Sequence, residues 1–295
     1  MEFNINQIQA KSILQKSGLP DTDWVINPYM GCRFACKYCY AAFVGKFWHK
    51  GEEWGSYVDV KINAPELLKK ELQQKLKEKN KKDIGTILFS SVTDPYQGLE
   101  AKYKLTRQCL QVLADLDYKG NIGILTKSHL VLRDIDLFKK LKNIEVGLTV
   151  TSTDDQISRY LETFATPNKD RINILRELHK QGIKTYAFVG PLLPHFVWMK
   201  NKMEDLLKQL KEAGVSYIYL EHINLSPYIK DRLFNYLKKD HPDLLKKFQQ
   251  TQSPEYREKL SQMLLSLAHK IGLKIAHEQP IYHISKESWK KLRKK

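Results

Sequence analysis

Three cysteines, Cys32, Cys36 and Cys39, fall within eight residues, in the string Asn27-Pro-Tyr-Met-Gly-Cys-Arg-Phe-Ala-Cys-Lys-Tyr-Cys-Tyr40. Thiolates are soft ligands, and CxxxCxxC on one tight loop suits a single metal centre, either an iron–sulfur cluster or zinc. Structural zinc takes four closed ligands, usually as two CxxC or CxxH pairs, and no second pair is present. The fourth cysteine, Cys109, sits in TRQCLQVL at helical spacing from Leu105 and Val112, the pattern of a buried apolar thiol. Three ligands with an open fourth position favour a cluster whose unique iron binds a small molecule. Gly31 suits a loop that must turn tightly around it. His195, His222, His277 and His283 show no HxxxH or ExxH spacing and read as ordinary polar positions. Without a second cysteine cluster no auxiliary iron–sulfur centre is expected, and without GxGxxG or a P-loop string the nucleotide-phosphate readings weaken.

The elements that position these residues alternate. Strand patterns occupy 23–30, 84–91, 121–128, 144–152, 183–190 and 215–223, several nearly continuous in apolar residues, as strands buried on both faces are. Helical patterns fill 64–79, 104–117, 132–141, 168–180 and 199–212. Ile172, Leu175 and Leu178 mark one apolar face, Leu206, Leu207 and Leu210 another. Gly182 and Gly214 stand where helices should end. Such a βα series gives a parallel sheet with right-handed crossovers, and functional groups gather at its carboxyl strand ends. Thr93 and Asp94, Lys127 and Ser128, Thr149, Thr151 and Ser152, His195, and Glu221, His222 and Asn224 fall there. The fold class expected is therefore α/β, a partial (β/α)6 parallel barrel over residues 1–225. A helical C-terminal extension, 226–295, packs on it, with helices over 227–248 and 254–271, a strand-like 274–278 and a basic tail.

At 295 residues with 42% hydrophobic side chains the chain can bury a core, which excludes a disordered protein. No run approaches the roughly 18 apolar residues of a membrane span, and the N-terminal segment lacks the apolar stretch of a signal peptide. A cytoplasmic chain without a membrane partner is expected. The net charge is +16, and residues 286–295, which include Trp289, carry six bases against one acid. Lysines interleaved with glutamates on amphipathic helices are usually a solvated face, but a polyanionic partner is the other reading.

CxxxCxxC with an aromatic before its last cysteine resembles the radical S-adenosylmethionine (SAM) superfamily. NPYMGCRFACKYCYA is more specifically similar to the branch that contains spore photoproduct lyase. Thr93-Asp-Pro-Tyr-Gln97 with Glu100, the run LTKSHLVLRDIDL at 125–137, and GLTVTSTDD at 147–155 resemble further segments of that branch. The resemblance implies a full or partial barrel and a [4Fe-4S] cluster with Cys32, Cys36 and Cys39 on three irons. It implies S-adenosylmethionine on the fourth iron, with Tyr38 near the adenine and Tyr40 beside the cofactor. Thr93 and Asp94 match the position that holds the methionine amino group, Lys127 one near the carboxylate or ribose, and Thr149 a hydroxyl contact. The implied reaction is reductive cleavage to a 5′-deoxyadenosyl radical that takes a hydrogen atom from a substrate, fed by an electron donor of flavodoxin or ferredoxin type. The chain departs from the branch at Ser91, where the lyase carries its hydrogen-donating cysteine. It also departs at Glu162-Thr163-Phe164, where the branch often reads E-P-R, although Arg171 is retained, and at Pro194-His195-Phe196. Two readings follow: a radical enzyme acting on nucleic acid, peptide or metabolite, or a non-catalytic nucleic-acid-binding protein with a structural metal on the three cysteines.

Overall fold

The computed structural model describes residues 3–153 and 155–283. The basic tail and Trp289 lie outside the described residues. The strands in chain order are β1 (Asn4–Ile8), β2 (Leu14–Lys16), β3 (Trp24–Ile26), β4 (Tyr29–Met30) and β5 (Tyr57–Lys61). They continue with β6 (Ile87–Phe89), β7 (Ile122–Thr126), β8 (Ile144–Thr149), β9 (Lys184–Leu192) and β10 (Tyr217–His222). The larger sheet has the order β10-β9-β8-β7-β6-β3-β2. From β3 to β10 every neighbouring pair is parallel, and β2 is antiparallel on β3. These six parallel strands are the six expected from the sequence, trimmed at most ends. Ile87, Phe89, Ile124, Val146, Leu148 and Ala187 are fully buried, which is why the strand sequences run almost unbroken in apolar residues.

The crossovers carry α2 (Ala64–Lys79), α3 (Glu100–Tyr103), α4 (Leu105–Asp115), α5 (Ile135–Phe138), α6 (Asp155–Leu161), α7 (Asn168–Lys180), α8 (Pro194–Val197) and α9 (Lys200–Glu212), and α1 (Gly45–Trp48) precedes β5. Gly182 and Gly214 follow α7 and α9 with φ of 76° and 81°, the left-handed turn that ends a helix and that a β-carbon opposes. The segment expected as one helix over 132–141 is instead a 3-10 turn, His129–Asp134, followed by the short α5; the Ser128 hydroxyl accepts the Leu130 N–H and starts the tighter turn.

The segment expected as one strand over 23–30 is two. Pro28 has no N–H to donate, and the Asn27 carboxamide oxygen turns to accept the N–H groups of Ser91 and Val92 at 3.0 and 3.3 Å. Beyond this break β4 joins a second sheet, β1-β5-β4, which the sequence patterns did not announce. β1 is mostly exposed and polar, so nothing in NINQI reads as a buried strand. In the C-terminal part, α10 (Pro227–Asp240) and α11 (Pro242–Gln250) replace one expected helix, because Pro242 cannot continue α10 but is suited to open α11. α12 (Pro254–Ile271) matches its expected span. Residues 274–278 contribute one bridge, Ile275 to Ile218, and then a 3-10 turn rather than a strand. α12 packs on α9, α11 on α8, and α10 on the Tyr40–Val44 turn.

Candidate functional site

The cysteine loop leaves β4 at the carboxyl end of the larger sheet. Cys32 and Cys36 are buried and Cys39 is partly exposed. Turns hold their order: Ala35 N–H donates to the Cys32 carbonyl at 3.3 Å, and Cys39 N–H to the Cys36 carbonyl at 3.1 Å. Gly31 enters the loop with φ of 87°, and a β-carbon there would stand 2.4 Å from the Tyr57 carbonyl. β5 is therefore the floor of the loop, and only glycine fits against it. Burial pushes the Cys36 thiol up to about 12 and raises Cys32 and Cys39 as well. The free thiols hold their protons at neutral pH, so a soft metal would have to displace them. Among the described residues no three ligands converge as they would on one metal ion. Three soft thiols without a fourth ligand on the loop suit a cluster with an open iron better than structural zinc, which takes four closed ligands.

The segment after β6 braces this loop. The Thr93 hydroxyl donates to the Gly31 carbonyl at 2.5 Å. Gln97 Nε2 donates to the same carbonyl at 3.2 Å and to Thr93 Oγ1 at 3.1 Å, while its Oε1 accepts Arg33 N–H at 2.9 Å. Asp94 accepts three bonds, from the Thr126 hydroxyl at 2.6 Å, Lys127 N–H at 2.8 Å and Tyr96 N–H at 2.9 Å. Burial still raises its carboxyl above the usual range, and these bonds only temper the shift. A carboxylate offers about four lone-pair sites, so one is left for a ligand ammonium. Buried Glu100 accepts from the Tyr29 hydroxyl, from Thr106 N–H at 3.0 Å and from Arg133 at 2.7 Å, tying β4 to the start of α4.

A second cluster lies beside Cys36. The Tyr38 hydroxyl donates to Glu162, which pairs with Arg171, and both ions are 1% exposed. Arg171 also donates to the carbonyls of Thr149 at 3.0 Å and Thr166 at 2.6 Å. Burial would raise Glu162, but Arg171 and Lys127 more than offset it and hold the carboxyl below its usual range. Lys127 Nζ lies 5.9 Å from the Tyr38 ring centre; burial would lower it, but its electrostatic interactions with Cys36 and Glu162 hold it above its ordinary value. Tyr38, Lys127 and Thr149, expected near a cofactor, are thus gathered by Glu162 and Arg171, which stood outside the expected site residues although the resemblance had marked both positions. Tyr40 donates to the Ser91 carbonyl, linking the loop to the end of β6.

Arg232 of α10 was not anticipated. Its guanidinium donates to the carbonyls of Lys37 at 2.6 Å and Cys36 at 3.2 Å, inside the cysteine motif. Nearby, Lys37 lies over the rings of Tyr160 and Tyr236 at 4.6 and 5.1 Å. An arginine on an amphipathic helix carries no sequence signal for such a contact. The histidines read as ordinary hold local contacts: His222 stacks on Tyr282 and meets Ser261 at 3.0 Å, His277 pairs with Asp21 and His283 with Glu221. Burial lowers His222 to about 4, and the positive charge of Arg257 adds to it. Cys109 is fully buried in α4, as its spacing suggested.

The family model of the Radical SAM superfamily matches residues 26–200. An uncharacterised protein of Methanocaldococcus jannaschii is 38% identical over 242 residues, covering 82% of this chain and 85% of its own. The radical SAM Nalpha-GlyT isomerase of Pseudomonas phage M6 is 24% identical, covering 85% of this chain and 52% of its own. Among solved structures, a variant of spore photoproduct lyase superposes with a TM-score of 0.71 over 92% of this chain and 81% of that one, at 16% identity, a likeness of fold. No helix of the described residues is long and apolar enough to cross a membrane. The match over residues 26–200, which takes in the cysteine loop and the strand ends around it, shows that the chain belongs to the radical SAM superfamily.

Proposed function

We propose that Cys32, Cys36 and Cys39 hold a [4Fe-4S] cluster, that S-adenosylmethionine binds its open iron, and that the enzyme removes a hydrogen atom from a nucleic-acid substrate. Radical SAM chemistry follows from the family; the ligand set, the cofactor contacts and the substrate are the proposal. The observation that carries it is the arrangement of three thiols on one loop, two buried and one partly exposed, beside Thr93, Asp94 and Lys127 from neighbouring strand ends. When bound, the cluster supplies the electron for reductive cleavage of S-adenosylmethionine.

This chain's own residues do the positioning. Asp94 offers its remaining lone pair to the methionine ammonium, Lys127 its cation to the carboxylate or the ribose, and Tyr38 its ring to the adenine. Thr93 and Gln97 keep the loop closed through Gly31. Thr149 lies at the end of β8 with its backbone fixed by Arg171. Tyr40 edges the cofactor from the β6 side, and an external donor of flavodoxin or ferredoxin type delivers the electron. The division into a 1–225 unit and a 226–295 extension is part of this reading, supported by the packing of the extension's described helices α10, α11 and α12 on the first unit.

The nucleic-acid assignment is supported by the charge of +16 and by relatives. The fold is shared with spore photoproduct lyase, one of whose structures holds a dinucleoside spore photoproduct. Ser91 argues against that lyase's own route, because an O–H bond is a poor hydrogen-atom donor beside a thiol. The non-catalytic alternative gives way to the family assignment.

Anaerobic reconstitution tests the ligand set. About four irons and four sulfides per chain are expected, lost in Cys32→Ala, Cys36→Ala and Cys39→Ala but kept in Cys109→Ala, with 5′-deoxyadenosine formed on adding reductant and S-adenosylmethionine. Equal loss of iron from Cys109→Ala, or one zinc in place of the cluster, overturns it.

A further inference from the structure

Immediately after Cys39 the chain makes a 3-10 turn, Tyr40–Val44, and runs straight into α1. Four aromatic rings of this stretch stand in solvent: Tyr40 is 45% exposed, Phe43 42%, Phe47 67% and Trp48 71%. Positions three and four apart share one helical face, so Tyr40, Phe43 and Phe47 form a stripe, with Trp48 flanking Phe47 at its outer end. Its inner end is fixed, since the Tyr40 hydroxyl is held by the Ser91 carbonyl at the end of β6. Large apolar side chains gathered in solvent, as opposed to scattered singly, point to a binding surface.

Charge and side-chain type identify the occupant. From Asn27 to Gly51 there is no acidic residue, while Arg33, Lys37, Lys46 and Lys50 are basic. Lys46 and Lys50 are exposed beside the stripe, and Lys46 Nζ lies 3.9 Å from the Tyr228 ring centre. The strongly exposed apolar side chains here are all aromatic, without an exposed leucine, isoleucine or methionine. Two short helical turns are too small for a helix lying in a membrane interface, whose apolar face is built on many more residues. Flat rings edged by lysines match unpaired bases on a phosphate backbone, where stacking supplies affinity and the cations neutralise phosphates.

We propose that Tyr40, Phe43, Phe47 and Trp48, with Lys46 and Lys50, form a track that stacks the bases of single-stranded nucleic acid and leads the strand to the cysteine loop. This rests on the nucleic-acid reading above and extends it to a strand state and a surface. An intact duplex hides its base faces and fits the track poorly.

The test is fluorescence anisotropy of labelled single-stranded deoxy- and ribo-oligonucleotides on the anaerobically reconstituted enzyme, with unlabelled duplex as competitor. Phe47→Ala and Trp48→Ala should each weaken binding roughly five- to 150-fold while keeping the iron content of the wild type, the range expected for one lost stack. Lys46→Gln with Lys50→Gln should make the fall of affinity with salt shallower. If the wild type binds but both alanine variants bind equally well, or duplex competes as strongly as single strands, the track is overturned and the nucleic-acid reading stands. If the wild type binds neither oligonucleotide at low ionic strength, the nucleic-acid reading itself falls.

Discussion

Asp94 illustrates how far a residue can be read from its motif. Its place after β6 matches a position that holds a ligand amino group, and the structure also gives it turn and crosslinking bonds to Tyr96, Thr126 and Lys127. A motif names the residue; the number of its bonds already taken is visible only once β6 and β7 are side by side. Asp94→Ala strands three buried donors, so apo-protein stability should drop by about 1–3 kcal/mol, read from the urea midpoint at unchanged slope. Asp94→Asn, which keeps an acceptor, should recover part of that loss while still weakening S-adenosylmethionine. An apo stability equal to wild type in Asp94→Ala would mean that the bonds to Thr126 and Lys127 contribute nothing net. Glu162 and Arg171 were less legible, because a buried ion pair is a relation between two residues that neither spacing nor composition displays.

At the scale of elements, the six parallel strands and the helices α2, α7, α9 and α12 were legible because their apolar periodicity reports burial directly. The β1-β5-β4 sheet was not, because β1 is polar and exposed and β4 is only two residues long; Tyr29, Val58 and Val60 bury a small apolar cluster there, and side-chain ties add to it. His49 is the central tie: it contacts Glu52 at 2.7 Å and Asp59 at 2.9 Å and stacks on Tyr57, the residue beneath Gly31. Burial alone would lower the imidazole, but the hydrogen bonds to Asp59 and Glu52 reverse that and leave it above its ordinary 6.5. A raised folded value means that the stabilisation is fully present below pH 6.5 and is lost as pH rises through the folded value. Thermal melts of His49→Gln should therefore lie further below wild type at pH 6 than at pH 9. Equal depression at both pH values would show that the tie holds without the imidazolium.

For the molecule as a whole, the alternation of elements specified the parallel architecture, but not where α10 would land. A helix's apolar face says that it packs; it does not say against which loop. Arg232 places a permanent positive charge on the backbone of the cysteine motif, and the Tyr236 hydroxyl donates to Glu53 from the same helix. A nearby cation stabilises the more negative, reduced form of a cluster. Arg232→Gln should accordingly move the midpoint potential of the reconstituted cluster to more negative values, measured by redox titration with electron paramagnetic resonance. A midpoint equal to wild type would reduce the contact to mechanical support.

The same contact sets an order in time. Arg232 lies 196 residues after Cys36 and 195 after Lys37, so a growing chain exposes the cysteine motif long before the helix that completes its backbone bonds is synthesised. At about 5–20 residues per second, the interval is roughly 10–40 s. During that interval the motif lacks this cover, and the Cys36 and Lys37 carbonyls have no guanidinium to fasten them. Loading iron onto a nascent chain would begin before the cover exists, whereas loading after release would meet a loop already fastened from both sides.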